Sequence, residues 1–445
     1  MTNVKPYPEY VDSGVEWFPA LPSNWSTTKL KHIATCLPGG TPDTLDDDYW
    51  LTDGSGTPWV AIGDMSGRQI IHSTSKSLTD AALVNKSLPI GGPGTLLFAM
   101  YASVGEVTPL GISAAWNQAL LGIVAGPKAE TRFIYYVLQS VKDWLPALYR
   151  SNTQNNLNAA QVGNFDLPLP PLAVQQSVST YLDRETAQID DLIGKQERLI
   201  ELLAEKRQAV TTQAVTKGLD PNAPTKPSGV PWLGSVPTHW TVMTINRLAS
   251  VISKGTTPTT IGAEFTDQGV KFLKAENIQN NQVWDTPANF ISTDTNRLLA
   301  RSQLQVNDLL VVIAGATTGK SAVLLRAQTP SNTNQAVAFV RPRDPIMSKW
   351  IHHVLSTQRV QSLISSLSVQ SAQPNLSMGD LGKIWVTVPP PVEIDLILSQ
   401  TSRAIENLDS LTMMARRAVE LLRERRSALI SAAVTGKIDV REGVA

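Results

Sequence analysis

The sequence predicts an α+β protein made twice over: two mixed α/β domains, pseudo-twofold related and separated by a two-helix antiparallel coiled coil. Three observations predict it. A tryptophan-bounded motif, an Asn-Gln-Ala motif and a proline-bounded segment recur in the same order in both halves of the 445 residues. Each half carries short apolar runs between loops rich in Gly, Thr and Asn, the pattern of short strands. Each half closes on a long segment whose apolar residues fall at three- and four-residue spacing, the signature of a helix burying one stripe.

Taken in chain order, Trp17, Pro22 and Trp25 return as Trp232, Pro237 and Trp240, and Ser13–Val15 returns as Ser228–Val230. Gly40 and Thr41 match Gly255 and Thr256. Strands are predicted over 57–62, 94–100 and 120–124, and over 270–274, 308–314 and 336–341. Asn117–Ala119 matches Asn334–Ala336, and helices are predicted over 131–149 and 346–366. Pro170 and Pro171, and then Pro389 and Pro390, mark helix starts, because proline fits the first turn and not the interior. The first long helix presents Ile189, Leu192, Leu199, Leu203 and Val210 as a seam; Leu408, Leu411, Ala418, Leu422 and Leu429 follow 219 residues later. Two matched seams with no other partner in sight are expected to bury each other. Glu201, Glu205 and Arg207 reappear as Glu420, Glu424 and Arg426 on the charged faces. The expected boundaries are 1–165 and 222–388 for the domains, 166–221 for the first helix with its linker, and 389–445 for the second helix with its tail. Lys217–Asp220 after the first helix resembles Gly436–Asp439 after the second. The linker therefore reads as the C-terminal tail joined to the N-terminal one, and the termini are expected to lie close together.

Composition narrows the function. No apolar run is long enough to cross a bilayer, and Met1–Tyr10 lacks the basic-then-apolar pattern of a signal peptide, so a cytoplasmic protein is expected. One cysteine, Cys36, excludes an intrachain disulfide. Adjacent His352 and His353 point about 100° apart on a helix and do not make a metal site. Net charge is zero, but residues 1–165 are net acidic and residues 222–388 net basic.

No catalytic residues emerge. Ala314–Ser321 after an apolar run fits a relaxed phosphate-loop pattern, but Ser321 is followed by another apolar run where a P-loop needs a helix. A tight turn offering backbone N–H groups and Lys320 to a phosphate is the expected reading. The Pro-Pro pairs lack the Asn/Asp and the aromatic residue that an adenine methyltransferase uses to hold a flipped base. What remains is recognition chemistry on loops: amides that bond adenine, and cations that reach guanine or phosphate. The candidates in the first copy are Arg68, Lys76, Tyr101, Arg150, Gln154 and Asn155. Those in the second are Lys254, Lys274, Asn277, Asn280, Lys320, Gln370, Gln373 and Asn375.

The repeated Trp…Pro…Trp motifs, Gln-x-Asn-Leu loops, Pro-Pro boundaries and twin long helices together resemble the specificity subunit of type I restriction–modification systems, over essentially the whole chain. That resemblance implies a non-catalytic, sequence-specific DNA-binding subunit with two target-recognition domains reading a bipartite site. It implies two methyltransferase subunits as partners and, where present, two restriction subunits. S-adenosylmethionine, ATP and Mg are then expected in those partners, with no cofactor or metal in this chain. Residues shared by both copies, such as Trp25/Trp240 and Asn117/Asn334, are expected to be framework. Two rival readings stay open at this point: a duplicated protein-interaction scaffold without DNA readout, and a P-loop ATPase.

Overall fold

The computed structural model describes residues 5–51, 53–142, 144–145, 156–368 and 374–441. The chain divides into two compact units: residues 1–196 with 417–445, and residues 197–416. The second is one contiguous segment and the first is made of two, and each long helix contributes to both.

In the first unit the main sheet contains β1 (Ala34–Pro38), β2 (Leu96–Ala99), β3 (Val107–Pro109) and β4 (Leu120–Ala125), in the antiparallel order β1-β4-β2-β3. Ile123 lies opposite Cys36, and Gly122 opposite Leu97. Helix α1 (Thr131–Lys142) buries Phe133, Ile134, Val137, Leu138 and Val141, a 3-4 stripe, against this sheet's core. The long helix α2 (Leu172–Lys217) starts here and adds Val178, Tyr181 and Leu182 to that core. A second four-stranded sheet runs in the order Ala115–Trp116, Thr57–Val60, Lys76–Leu78, Trp50–Leu51.

The second unit repeats the design. β5 (Ala249–Lys254), β6 (Leu309–Val312), β7 (Ser321–Val323) and β8 (Val337–Pro342) form an antiparallel sheet in the order β5-β8-β6-β7. Its own second sheet holds Phe265–Thr266, Phe290–Ile291, Val270–Leu273 and Ser331–Thr333. The helical stretch expected over 346–366 is two helices, α3 (Ile346–Leu355) and α4 (Gln358–Ser368). Thr357 breaks it: its buried Oγ1 donates back to the Val354 carbonyl at 2.8 Å. Helix α5 (Pro391–Val434) begins in this unit.

Within each unit α2 and α5 run antiparallel. In the first unit the start of α2 shares a core with Ile430 and Val434 at the end of α5, and Arg426 Nε donates to Asp190 Oδ1 at 2.9 Å. In the second, Ala214 and Val215 at the end of α2 share a core with Ile394 and Ile397, and Arg207 Nε donates to Asp409 Oδ1 at 3.2 Å. These ion pairs are the same pair in the two copies.

The seam register differs from the expected one at three positions. Ile189 and Leu203 are buried, and Val210, Leu408, Leu422 and Leu429 are half-buried. Leu192, Leu199 and Leu411 are instead 44%, 41% and 49% exposed. On α2 the covered positions are Ile189, Ile193, Gln196, Ile200, Leu203, Arg207, Val210 and Ala214. Polar Gln196 and Arg207 occupy seam positions, so reading leucines alone displaces the register by one residue.

The tryptophan motif explains how the helices end. Gly218 ends α2 at φ +72, and a Cβ there would lie 3.0 Å from the buried Trp240 ring. Gly436 follows α5 at φ +70 and lies under Trp25 in the same way. Each tryptophan thus covers the end of the helix contributed by the other copy. The termini meet as expected: Asp439 N donates to Lys5 O at 2.7 Å, and Tyr10 OH to Gly436 O at 2.9 Å.

Candidate nucleic-acid interface

Each unit offers a hairpin tip joined to the loop that leads back to its long helix. In the second unit the tip is the turn between β6 and β7, with Gly315 at φ +98 and Gly319 at φ +93, values that favour glycine. It is tied to the amide-rich segment by Gly315 N→Pro374 O at 3.1 Å, Leu376 N→Ile313 O at 2.8 Å and a bridge between Ala314 and Asn375. The first unit repeats the tie through Leu157 N→Met100 O at 2.9 Å, beneath a tip that exposes Tyr101.

This geometry corrects the phosphate-turn reading. Strand, turn and strand replace the strand, loop and helix of a P-loop. The amides of Gly315, Thr318, Gly319 and Lys320 bond Pro374, Gly315, Val312 and Thr317 carbonyls, so they are spent inside the fold. Lys320 remains as an exposed cation on the tip.

The matching motifs pinch each second sheet where it leaves the first. Thr41 Oγ1 bonds Gln118 Oε1, and Thr257 Oγ1 bonds Gln335 Oε1. A Cβ on Gly39 would lie 2.2 Å from the Asn117 carbonyl oxygen, and one on Gly255 would lie 1.7 Å from that of Thr333. The equivalent pairs are therefore Gly39/Gly255 and Thr41/Thr257, one residue from the match that sequence alone suggests. Asn117 and Asn334 accept from the amides of Ala119 and Ala336, a framework role.

The other candidates divide. Arg68 is exposed beside the first unit's hairpin, with Nη1 2.7 Å from Ser73 O. Lys76 is exposed with Nζ 4.9 Å from the Trp50 ring centroid. Lys254 ends β5 half-buried, and Asn375 is exposed at the tie. Asn280 sits at φ 49 in a two-residue hairpin turn with Asn281. Lys274 is held inward, 2.8 Å from Asn289 Oδ1 and 4.8 Å above Phe265. Asn277 is a correction: it is 1% exposed, accepts from Lys274 N, and donates to the Trp284 and Pro287 carbonyls. Its amide is consumed by the fold and is not presented to a ligand. Arg150, Gln154, Asn155, Gln370 and Gln373 lie outside the described residues.

Sequence reasoning did not find the attachment of each domain to its helix. Asp183 on α2 accepts from Arg132 Nε at 3.0 Å and from Tyr136 OH at 2.6 Å. Burial first, and then Asp183, pushes the Tyr136 hydroxyl up to about 12. At an offset of 217, Arg132, Tyr135 and Tyr136 correspond to Lys349, His352 and His353, so aligning α1 with α3 exposes the pairing. Buried His352 shares a 2.9 Å hydrogen bond between Nδ1 and Ser321 Oγ. Burial, and then His353, pushes it down to about 3. The native state thus refuses a proton that the unfolded chain accepts below about pH 6.5. Stability present above that pH is lost as pH falls toward 3, by about 1.4 kcal/mol per pH unit while only the unfolded state is protonated. Melting of wild type and His352→Phe from pH 7.5 to 5 checks this. The variant starts lower, with Ser321 unpaired, but has the shallower pH dependence.

Residues 22–202 and 237–413 each match the family model described as the type I restriction modification DNA specificity domain. The chain belongs to that family. It is 25% identical to the EcoBI specificity subunit of Escherichia coli over 331 residues, 73% of this chain and 69% of that one. It is 21% identical to the MjaVIII specificity subunit of Methanocaldococcus jannaschii over 437 residues, 95% and 94% of the two chains. A solved chain from a study of assembly and conformational transition in the type I R-M system shares the fold, with a TM-score of 0.69 at 16% identity over 93% of this chain and 98% of that one. The specificity-family chain is a DNA-recognition protein and not an enzyme, and its two domains are the recognition domains. Among the described residues no helix is long and apolar enough to cross a membrane.

Proposed function

We propose that this chain directs a type I restriction–modification complex to a two-part DNA site, one part read by each unit, and scaffolds two methyltransferase subunits and, where present, two restriction subunits. The observation that carries the reading is one framework with two different heads. The neck threonines, the tryptophan-covered helix ends and the tied hairpin tips repeat, whereas the tips themselves offer Tyr101 in one unit and Lys320 in the other. Amides and cations on such tips suit base edges and phosphates. Leu199 and Leu202 of α2 and Leu411, Met413 and Met414 of α5 are exposed in the second unit, an apolar surface suited to a partner helix. S-adenosylmethionine, ATP and Mg belong to the partners in this reading, and the complex works in the cytoplasm.

The test is a DNA mobility shift with the chain and its methyltransferase partner together. A salt-sensitive shift of DNA carrying the methylated sequence, lost on scrambling either half, is the expected result. Binding indifferent to sequence sinks the reading in favour of a protein-interaction scaffold.

A further inference from the structure

A second loop repeats beside each hairpin. At an offset of 213, Ala61, Asp64 and Met65 correspond to Lys274, Asn277 and Ile278. Buried Asp64 accepts from Ala61 N at 2.9 Å and from Ser75 N at 3.2 Å. Buried Asn277 accepts from Lys274 N at 2.9 Å and donates to the Trp284 and Pro287 carbonyls at 2.9 and 3.0 Å. Each holds a short helical turn closed from the inside. Apolar residues then pin the following loop to the hairpin strands. Met65 and Ile71 share a core with Leu97 and Ala99 of β2, and Ile278 and Val283 share one with Leu310 and Ala322 of β6 and β7. Between those anchors residues 66–70 and 279–282 are all exposed. In the first unit Gly67 and Arg68 line one cleft with Gly105 and Glu106 at the hairpin tip.

The loop repeats, but its chemistry does not. The second unit has four amides in succession, Gln279, Asn280, Asn281 and Gln282, where the first has Gly67 and Arg68. Asn280 and Asn281 are the centre of a two-residue hairpin turn, at φ 49 and φ 63. Positive φ accounts for asparagine there, and not for the glutamines that flank it at ladder positions. Gln279 is used by the fold: its Nε2 donates to Glu276 O at 2.6 Å, and its carbonyl accepts from Trp284 Nε1 at 3.2 Å. The side chains of Asn280, Asn281 and Gln282 make no hydrogen bond to any described residue. The turn is therefore fixed from behind and presents three unpaired amides in front.

We propose that this turn is a second reading element of the second recognition domain, and that Asn280, Asn281 and Gln282 read adenine in its half-site. An amide offers a donor and an acceptor side by side, the complement of adenine N6 and N7 in the major groove. Three observations favour DNA bases over a protein partner. The exposed segment holds no apolar side chain. It is pinned to the hairpin whose tip carries Lys320, so a phosphate met by that cation leaves base edges next to the amides. It also belongs to the net-basic domain, which attracts a polyanion. Asn277 acts through the turn as a positioning residue. The proposal rests on the DNA-specificity reading above.

The experiment assembles wild type and an Asn280→Gly, Asn281→Gly, Gln282→Ala variant with the methyltransferase partner. Glycine leaves both positive-φ positions unstrained, so the turn survives without its amides. Both complexes are titrated with the methylated sequence and with duplexes changed at single base pairs in either half. In the half left unchanged when residues 1–165 are exchanged, wild type is expected to discriminate against replacement of an A·T pair. In the variant that discrimination falls by about 5- to 150-fold, the worth of one bidentate amide–base contact. Discrimination in the other half and the melting temperature hold. A wild-type complex that does not bind DNA overturns the DNA-specificity reading itself. A variant that keeps wild-type discrimination at every pair, or loses affinity equally for all duplexes, overturns the reading turn alone. Relaxation confined to G·C pairs overturns the adenine assignment. Loss of assembly, with discrimination intact in whatever complex still forms, assigns the turn to a protein contact and overturns it too.

Discussion

A chimera in which residues 1–165 are replaced by the equivalent domain of another specificity subunit methylates a target altered in one half only. The expectation follows from the framework: the neck, the tied hairpin tip and the covered helix end recur in each unit, so each head is a module on a common mount. Methylome sequencing of cells carrying the chimera reads the result, and a change in both halves sinks the two-head reading. The mount is not fully generic, however. Asp183 sits on α2, outside the exchanged segment, and its partners Arg132 and Tyr136 lie inside it. The second unit has Lys349 and His353 opposite Ser402 at those places. A foreign domain lacking the arginine and tyrosine leaves Asp183 without its hydrogen bonds, a loss of about 1–2 kcal/mol. Chimeras that also carry α2 through Asp190 from the donor therefore melt higher than those cut at residue 165, with the same altered half-site.

The largest stability loss from a single change is expected at Asp308. It is fully buried at the start of β6 and accepts from Arg341 Nε and Nη2, both at 2.7 Å, and from Gln305 N at 2.7 Å. Arg341 also donates to Gln303 O at 3.1 Å and lies over Phe339, so it cannot swing to solvent without unpacking the sheet. Asp308→Ala leaves the half-buried guanidinium without its carboxylate and the Gln305 amide without its acceptor, at a cost of about 3–5 kcal/mol. Denaturant unfolding measures it. Asp308→Ala with Arg341→Met removes both charges and recovers most of the loss, because an uncompensated buried charge costs more than an absent pair. A double variant no better than the single one shows that the packing of Arg341, and not its charge, is what matters.

The hairpin tips show how far sequence reaches toward the site. The apolar runs 309–313 and 94–100 identify the strands that carry them, and Gly315 and Gly319 mark the turn. What the tip touches depends on a segment more than fifty residues away, since Pro374 and Leu376 supply the hydrogen bonds. That segment takes the Gly315 amide, while those of Thr318, Gly319 and Lys320 bond within the hairpin itself, so amides that look available in the sequence are occupied in the fold. Asn277 fails as a reader for the same reason: an exposed-looking amide in a polar stretch is buried by a turn that closes on Trp284 and Pro287.

By itself the sequence determined the duplication, the strand and helix content, the long helices and the family, because periodicity and punctuation are local properties that survive divergence. Tertiary structure alone decided three things. It set the seam register, where Gln196 and Arg207 occupy covered positions that a count of leucines assigns elsewhere. It exchanged the helix ends, so that Trp25 covers Gly436 and Trp240 covers Gly218. It also set what the matched residues meet: Arg132 and Tyr136 hold Asp183 in one unit, and His352 shares a hydrogen bond with Ser321 in the other. The physical reason is common to all three. Local pattern fixes which face of an element is buried, but only the element packed against that face decides what a side chain meets there.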